Sequence, residues 1–167
     1  MAIVAAHGGL VEDARFFRAV MDDVALAIAS SALSGALADI GVVVLFVCSG
    51  GRLDKHPGAS TTVGLVKRLL DEGCGTVLAS PWPVDVSVPP HWLPAFLAAW
   101  SSGTCVMDAC FAANQAVRAR LGDDPGKYFA MSVYGNPLAQ RSTASAPRAA
   151  SGEAPQGADQ GIAPVAG

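Results

Sequence analysis

The stretch that most constrains this chain is Val42-Val43-Val44-Leu45-Phe46-Val47, an unbroken run of β-branched, aliphatic and aromatic residues. A strand of this kind must be buried on both faces, which happens in a parallel sheet with helices packed on either side. Gly41 opens the run and Cys48-Ser49-Gly50-Gly51 ends it. Two shorter apolar runs read as strands of the same sheet. Ala2 to Ala6 stops at His7-Gly8-Gly9, and Thr76 to Ala79 stops at Ser80-Pro81-Trp82-Pro83-Val84-Asp85. That last segment must be a surface loop, because prolines lack the donor a central strand needs. A final strand is expected over Tyr128 to Val133, closed by Tyr134-Gly135-Asn136-Pro137.

Helices are expected between these strands. Leu10, Ala14, Phe17, Met21, Val24 and Ile28 recur at helical spacing, with Glu12 and Asp13 where a helix dipole favours negative charge, so a helix is predicted that fades near Gly35. Beyond the polar loop Arg52 to Ala59, Ser60 or Thr61 can cap a helix that runs to Glu72 and is closed by Gly73. Trp92 to Trp100 and Thr104 to Leu121 complete the set, with Trp92, Phe96 and Trp100 forming a core stripe. The alternation predicts an α/β fold, a mostly parallel sheet flanked by helices with right-handed crossovers. Ligands of such sheets bind beyond the carboxyl ends of the strands, and His7, Cys48 and the Trp82 loop all fall there.

With 167 residues, 51% of them apolar, the chain can bury the core of one domain, expected over residues 1–137. From Leu138 onward Ala, Pro, Ser, Gly and Gln prevail, too little apolar surface to offset the entropy of ordering, so 138–167 is expected to be a disordered tail. A net charge of -3 with scattered Lys and Arg offers no basic face for nucleic acid. The apolar runs are too short for a signal core or a membrane span. A cytoplasmic location follows as the expectation, with Cys48, Cys74, Cys105 and Cys110 as free thiols.

A thiol becomes a useful nucleophile when a nearby imidazole takes its proton and both project from rigid elements. His7 and Cys48 end consecutive expected strands, and parallel pairing of those strands would bring the two within reach. The neighbouring glycines let backbone amides approach a carbonyl under attack, so Gly8 and the amide of Cys48 are the expected oxyanion donors.

In order along the chain, His7-Gly8, Val44-Leu45-Phe46-Val47-Cys48-Ser49-Gly50 and Ala79-Ser80-Pro81-Trp82-Pro83-Val84-Asp85 resemble the CHAT peptidases, a caspase-like and separase-like family often fused or partnered to tetratricopeptide repeats. The resemblance extends to Tyr134-Gly135-Asn136-Pro137, and the His-to-Cys separation is close to the roughly 50 residues of caspases. It implies a caspase-like sheet, endopeptidase activity on protein or peptide substrates through a His7/Cys48 dyad, no metal or organic cofactor, and control by a sensing partner. By matching position, Trp82 would wall the substrate cleft and Asp85 would shape its specificity. Ser49-Gly50-Gly51 is closer to the separase-like form than to the acidic segment usual after the cysteine. The family's domain normally has a strand and helix layer ahead of the histidine, and here Met1 is close to His7, so that front part is expected to be lacking. A non-catalytic caspase-like interaction module is the alternative function.

Other reactive residues read as structural. Cys74 sits between Gly73 and Gly75 at a helix-to-strand turn, and the spacing of Cys105 and Cys110 puts them on different helix faces, which disfavours zinc. His56 and His91 are expected in solvated loops, His56 bordering the cleft. Phosphate binding at Cys48-Ser49-Gly50-Gly51-Arg52 is disfavoured, because Lys55 is followed by His56 and no Gly-Lys-Ser/Thr triplet occurs.

Overall fold

The computed structural model describes residues 1–11, 14–21, 24–48, 54–55 and 62–141, with the strands between 7 and 27 and the two short ones after Cys48 described as backbone. In chain order the elements are β1 (Ala2–Val11), β2 (Ala14–Met21), β3 (Val24–Ala29), α1 (Ser30–Ala36), β4 (Val42–Val47), β5 (Asp54–Lys55), β6 (Thr62–Val63), α2 (Leu65–Asp71), β7 (Thr76–Ala79), α3 (Pro89–Ser101), α4 (Val106–Leu121), α5 (Pro125–Tyr128) and β8 (Ser132–Gly135). The main sheet has the order β3-β2-β1-β4-β7-β8, and β5 and β6 form a small separate ribbon.

At the centre, β1, β4 and β7 run parallel and β8 closes one side antiparallel to β7. Every residue of β4 is buried, as its composition requires. Alternation divides its side chains between two layers. Val42, Val44 and Phe46 join the core of α3 and α4, whereas Val43, Leu45 and Val47 join that of α1 and α2. The first core holds the aromatic stripe expected from the sequence. Trp92 meets Phe46 edge-on at 5.7 Å and stacks on Phe96 at 4.9 Å, and its indole donates to the Asn114 Oδ1 at 2.8 Å.

Several expectations are corrected. The apolar stripe from Leu10 to Ile28 does not form a helix. β1 runs on past His7-Gly8-Gly9 to Val11 and pairs antiparallel with β2, which pairs with β3, and only the short α1 precedes β4. The same apolar positions satisfy a strand once a neighbouring edge is there to pair with, and pairing is non-local, so spacing alone misleads. α2 starts at Leu65 with Gly64 as its cap rather than Ser60 or Thr61, since Thr62–Val63 is taken into β6. Gly73, at φ +94°, follows that helix in the left-handed backbone region that only glycine adopts without penalty.

Near the end of the domain the expected strand Tyr128 to Val133 is displaced. Asp124 caps a single turn by accepting the Gly126 N–H at 3.0 Å, Pro125 occupies its first position, and the strand follows only at Ser132. An Asp-Pro pair at a helix start is legible in sequence, and it was the missed signal. The tail boundary also shifts. Pro137 and Ala139 carbonyls accept the Met107 and Val106 N–H groups at 3.1 and 2.9 Å, so residues just past 137 cap α4, whose start is Val106 rather than Thr104. Residues 142–167 lie outside the described residues. Among the described residues, no helix is long and apolar enough to cross a membrane.

Candidate active site

Parallel pairing of β1 with β4 fixes which residues meet at the sheet's carboxyl rim. The register runs from Ala2 opposite Val43 to Ala6 opposite Val47. The next residue of β1 is His7, and Cys48 is the first residue past the end of β4. Adjacent strands are about 4.8 Å apart, and the last paired positions, Ala6 and Val47, immediately precede these two residues. The register also divides the faces of β1. Ile3 is opposite Val44 and Ala5 opposite Phe46, while Ala2, Val4 and Ala6 pack with the α1–α2 core.

His7 is not at the end of a strand, as the sequence suggested, but at a junction. It is the first residue past the parallel register and it already pairs with Arg18 of β2, followed by Gly8 with Phe17. At this junction β1 passes from pairing with β4, which ends at Ala6, to pairing with β2, which begins at His7. The His7 ring lies outside the described residues, as do Ser49 to Leu53 and the residues around His56, so the expectations placed on His56 and on the loop glycines concern segments not described. Cys48 is half-buried.

The other cysteines differ from it. Cys74 is buried and its thiol donates to the Leu37 carbonyl at 3.0 Å, with burial the main cause that pushes its pKa up. Cys110 faces the Met131 carbonyl at 3.7 Å in the α3–α4 core, and burial pushes it up to about 12. Both are held as neutral thiols and are poor nucleophiles. Cys105 is half-buried at the start of α4 and its thiol donates to the Asp108 carboxylate at 3.4 Å. Among the described residues no group of His, Cys, Asp and Glu is arranged to hold a metal ion.

The segment after β7 leaves the sheet at the same end, because β7 runs parallel to β4. Ser80 is fully buried, and its hydroxyl donates to the Trp82 carbonyl at 2.7 Å while accepting the Trp82 N–H at 3.2 Å. Trp82 itself is 40% exposed. Asp85 Oδ1 accepts the Ser87 N–H at 2.8 Å and the Ser87 hydroxyl at 2.7 Å, a turn that leads into α3. These hydrogen bonds, hydroxyl first, hold the Asp85 carboxyl below the usual carboxylate range, with Lys127 acting in the same direction. Asp85 is therefore a turn-former as well as an exposed charge at the rim. His91 belongs to the first turn of α3 rather than to a loop.

Sequence reasoning missed Ser80 and Lys127. Ser80 was legible as a buried-strand successor before a Pro-rich turn, a common place for a hydroxyl to satisfy backbone groups. Lys127 had no local signal. A cavity of about 470 Å³ opens at the opposite rim, among Met1, Gly41, Val42, Leu97, Trp100 and Arg141, and it is separate from the His7–Cys48 end. No family model and no curated protein matches the chain.

Proposed function

We propose that this chain is the catalytic portion of a caspase-like cysteine endopeptidase of the CHAT type, acting on protein or peptide substrates with Cys48 as nucleophile and His7 as general base. The observation that carries this reading is the parallel register that ends on Ala6 and Val47, with His7 and Cys48 the residues that follow them in the chain. Two further features support it: the half-exposure of Cys48 against the buried Cys74 and Cys110, and the exposed Trp82 on a loop at the same rim.

In the proposed reaction the His7 imidazole takes the Cys48 proton and the sulfur attacks the scissile carbonyl carbon. The carbonyl π electrons move to oxygen, and the amides of Gly8 and Cys48 stabilise the oxyanion. On collapse the C–N bond breaks, and the His7 imidazolium gives its proton to the departing amine. Water, deprotonated by the same imidazole, then hydrolyses the thioester and restores the thiol. Trp82 walls the bound peptide and Asp85 bears on its specificity. The chemistry calls for no metal or organic cofactor. A tetratricopeptide-repeat or other sensing partner is the proposed controller, in a cytoplasmic setting, with no role for nucleic acid.

Labelling by a thiol-directed peptide probe tests this. Cys105 is the other half-exposed thiol, so the comparison is made in a Cys105→Ser background. Labelling is expected to vanish in Cys48→Ala and to slow by about 100-fold or more in His7→Ala, the usual contribution of a positioned base. Labelling that survives Cys48→Ala, or that is indifferent to His7, refutes the dyad. A folded chain that is never labelled is the non-catalytic interaction module instead.

A further inference from the structure

The loop from Ser80 to Val88 is shaped by its own hydrogen bonds but anchored by another element. The Ser80–Trp82 closure and the Asp85–Ser87 turn are both internal to it, and the Val88 N–H completes the second by donating to the Asp85 carbonyl at 2.9 Å. The outward-facing groups of the loop are taken up by α5. The Trp82 indole N–H donates to the Gly126 carbonyl at 3.4 Å, and Lys127 Nζ lies 3.5 Å from Asp85 Oδ2, the carboxylate oxygen that Ser87 leaves free.

Consecutive residues of one helical turn thus hold both residues to which the substrate-binding role is assigned. The turn is itself fixed to α4. Arg118 lies over the Tyr128 ring at 5.2 Å and bonds Asp123 at 2.9 Å, just ahead of the Asp124 cap. A load path therefore runs from the α3–α4 core through Arg118 and α5 to the cleft loop.

We propose that α5 positions the substrate-facing loop, with Lys127 as the positioning residue that sets Asp85 and Trp82 together for the bound peptide. This rests on the reading of the rim as a peptidase cleft. The two contacts act on the same short loop, so loosening one lowers the occupancy of the other. Lys127 and Asp85 are partly exposed, and an exposed ion pair shifts a two-state equilibrium by roughly 1.4- to 5-fold.

The test compares the full chain with Lys127→Met and Lys127→Arg, using acrylamide quenching of Trp82 fluorescence obtained as the difference from Trp82→Phe. Trp92 and Trp100 are buried and contribute a low background. In Lys127→Met the undocked population of the loop is expected to rise by roughly 1.4- to 5-fold, read as stronger quenching, and Lys127→Arg is expected to restore it. On a peptide substrate the same variant is expected to raise KM by a similar factor with kcat held. Unchanged Trp82 quenching in Lys127→Met overturns the proposal, and so does altered quenching with an unchanged KM. If the wild type turns over no peptide and Cys48 is not labelled, the dyad reading fails and the clamp stands or falls on the quenching alone.

Discussion

The strand that delivers Cys48 to the rim is held from beneath by Trp92, and removing that support has a calculable cost. Trp92 is fully buried, meets Phe46 edge-on with rings at 83°, stacks on Phe96 and bonds Asn114. Truncating a buried Trp to Ala typically costs about 3–5 kcal/mol, transfer and cavity contributions together. For a domain of this size that corresponds to a fall in Tm of roughly 10–20 °C. The edge-on pair adds a more specific expectation. A cycle of Phe46→Leu, Trp92→Leu and the double variant should give a coupling of about 0.5–1.5 kcal/mol, the usual worth of an aromatic pair beyond its buried area. Urea unfolding followed by far-ultraviolet circular dichroism measures both, provided the m-values of the variants agree. A Trp92→Ala loss below about 1 kcal/mol, or a coupling indistinguishable from zero, would mean that α3 does not dock on the face of β4 that leads to Cys48.

Two other perturbations bear on the frame of the site. Gly135 has φ +90°, and a Cβ there would lie 2.6 Å from the Gly75 carbonyl oxygen and 2.9 Å from Leu70 Cδ2. Gly135→Ala should therefore destabilise the domain by more than the roughly 1–2 kcal/mol of a left-handed residue alone, and a urea midpoint equal to that of the wild type would contradict the β7–β8 register. Cys110 supplies a pH dependence. Its folded-state pKa is raised to about 12 from 9.0, so its contribution is complete below the unfolded value and is lost as pH rises toward the folded one. Stability should fall between about pH 9 and pH 12 with a component on the order of 4 kcal/mol that Cys110→Ala removes, and an identical pH slope in the two proteins would refute it.

Local composition carried a good part of this architecture. The six buried residues of β4, the short β7 and the aromatic stripe of α3 needed no knowledge of the rest of the chain. Their apolar content leaves them only an interior position between layers. The same holds for the rim residues that end β4 and β7, because a strand that must be buried also dictates where it emerges. Residues 10–28 were misread for the opposite reason. Their apolar spacing is compatible with a helix and with two strands, and the choice depends on an edge offered by β1, which is a contact across the sheet.

What the amino-acid sequence determined by itself was that the central strands β4 and β7 must be buried and that Cys48 follows directly on the end of β4. Tertiary structure alone decided that β1 continues as an antiparallel arm past His7, that the strand before Pro137 starts only after a capped turn, and that Lys127 reaches Asp85. The physical reason is range. Burial and capping act within a few residues and leave a pattern in the chain, whereas strand pairing and an ion pair between distant segments depend on where the rest of the molecule places their partners.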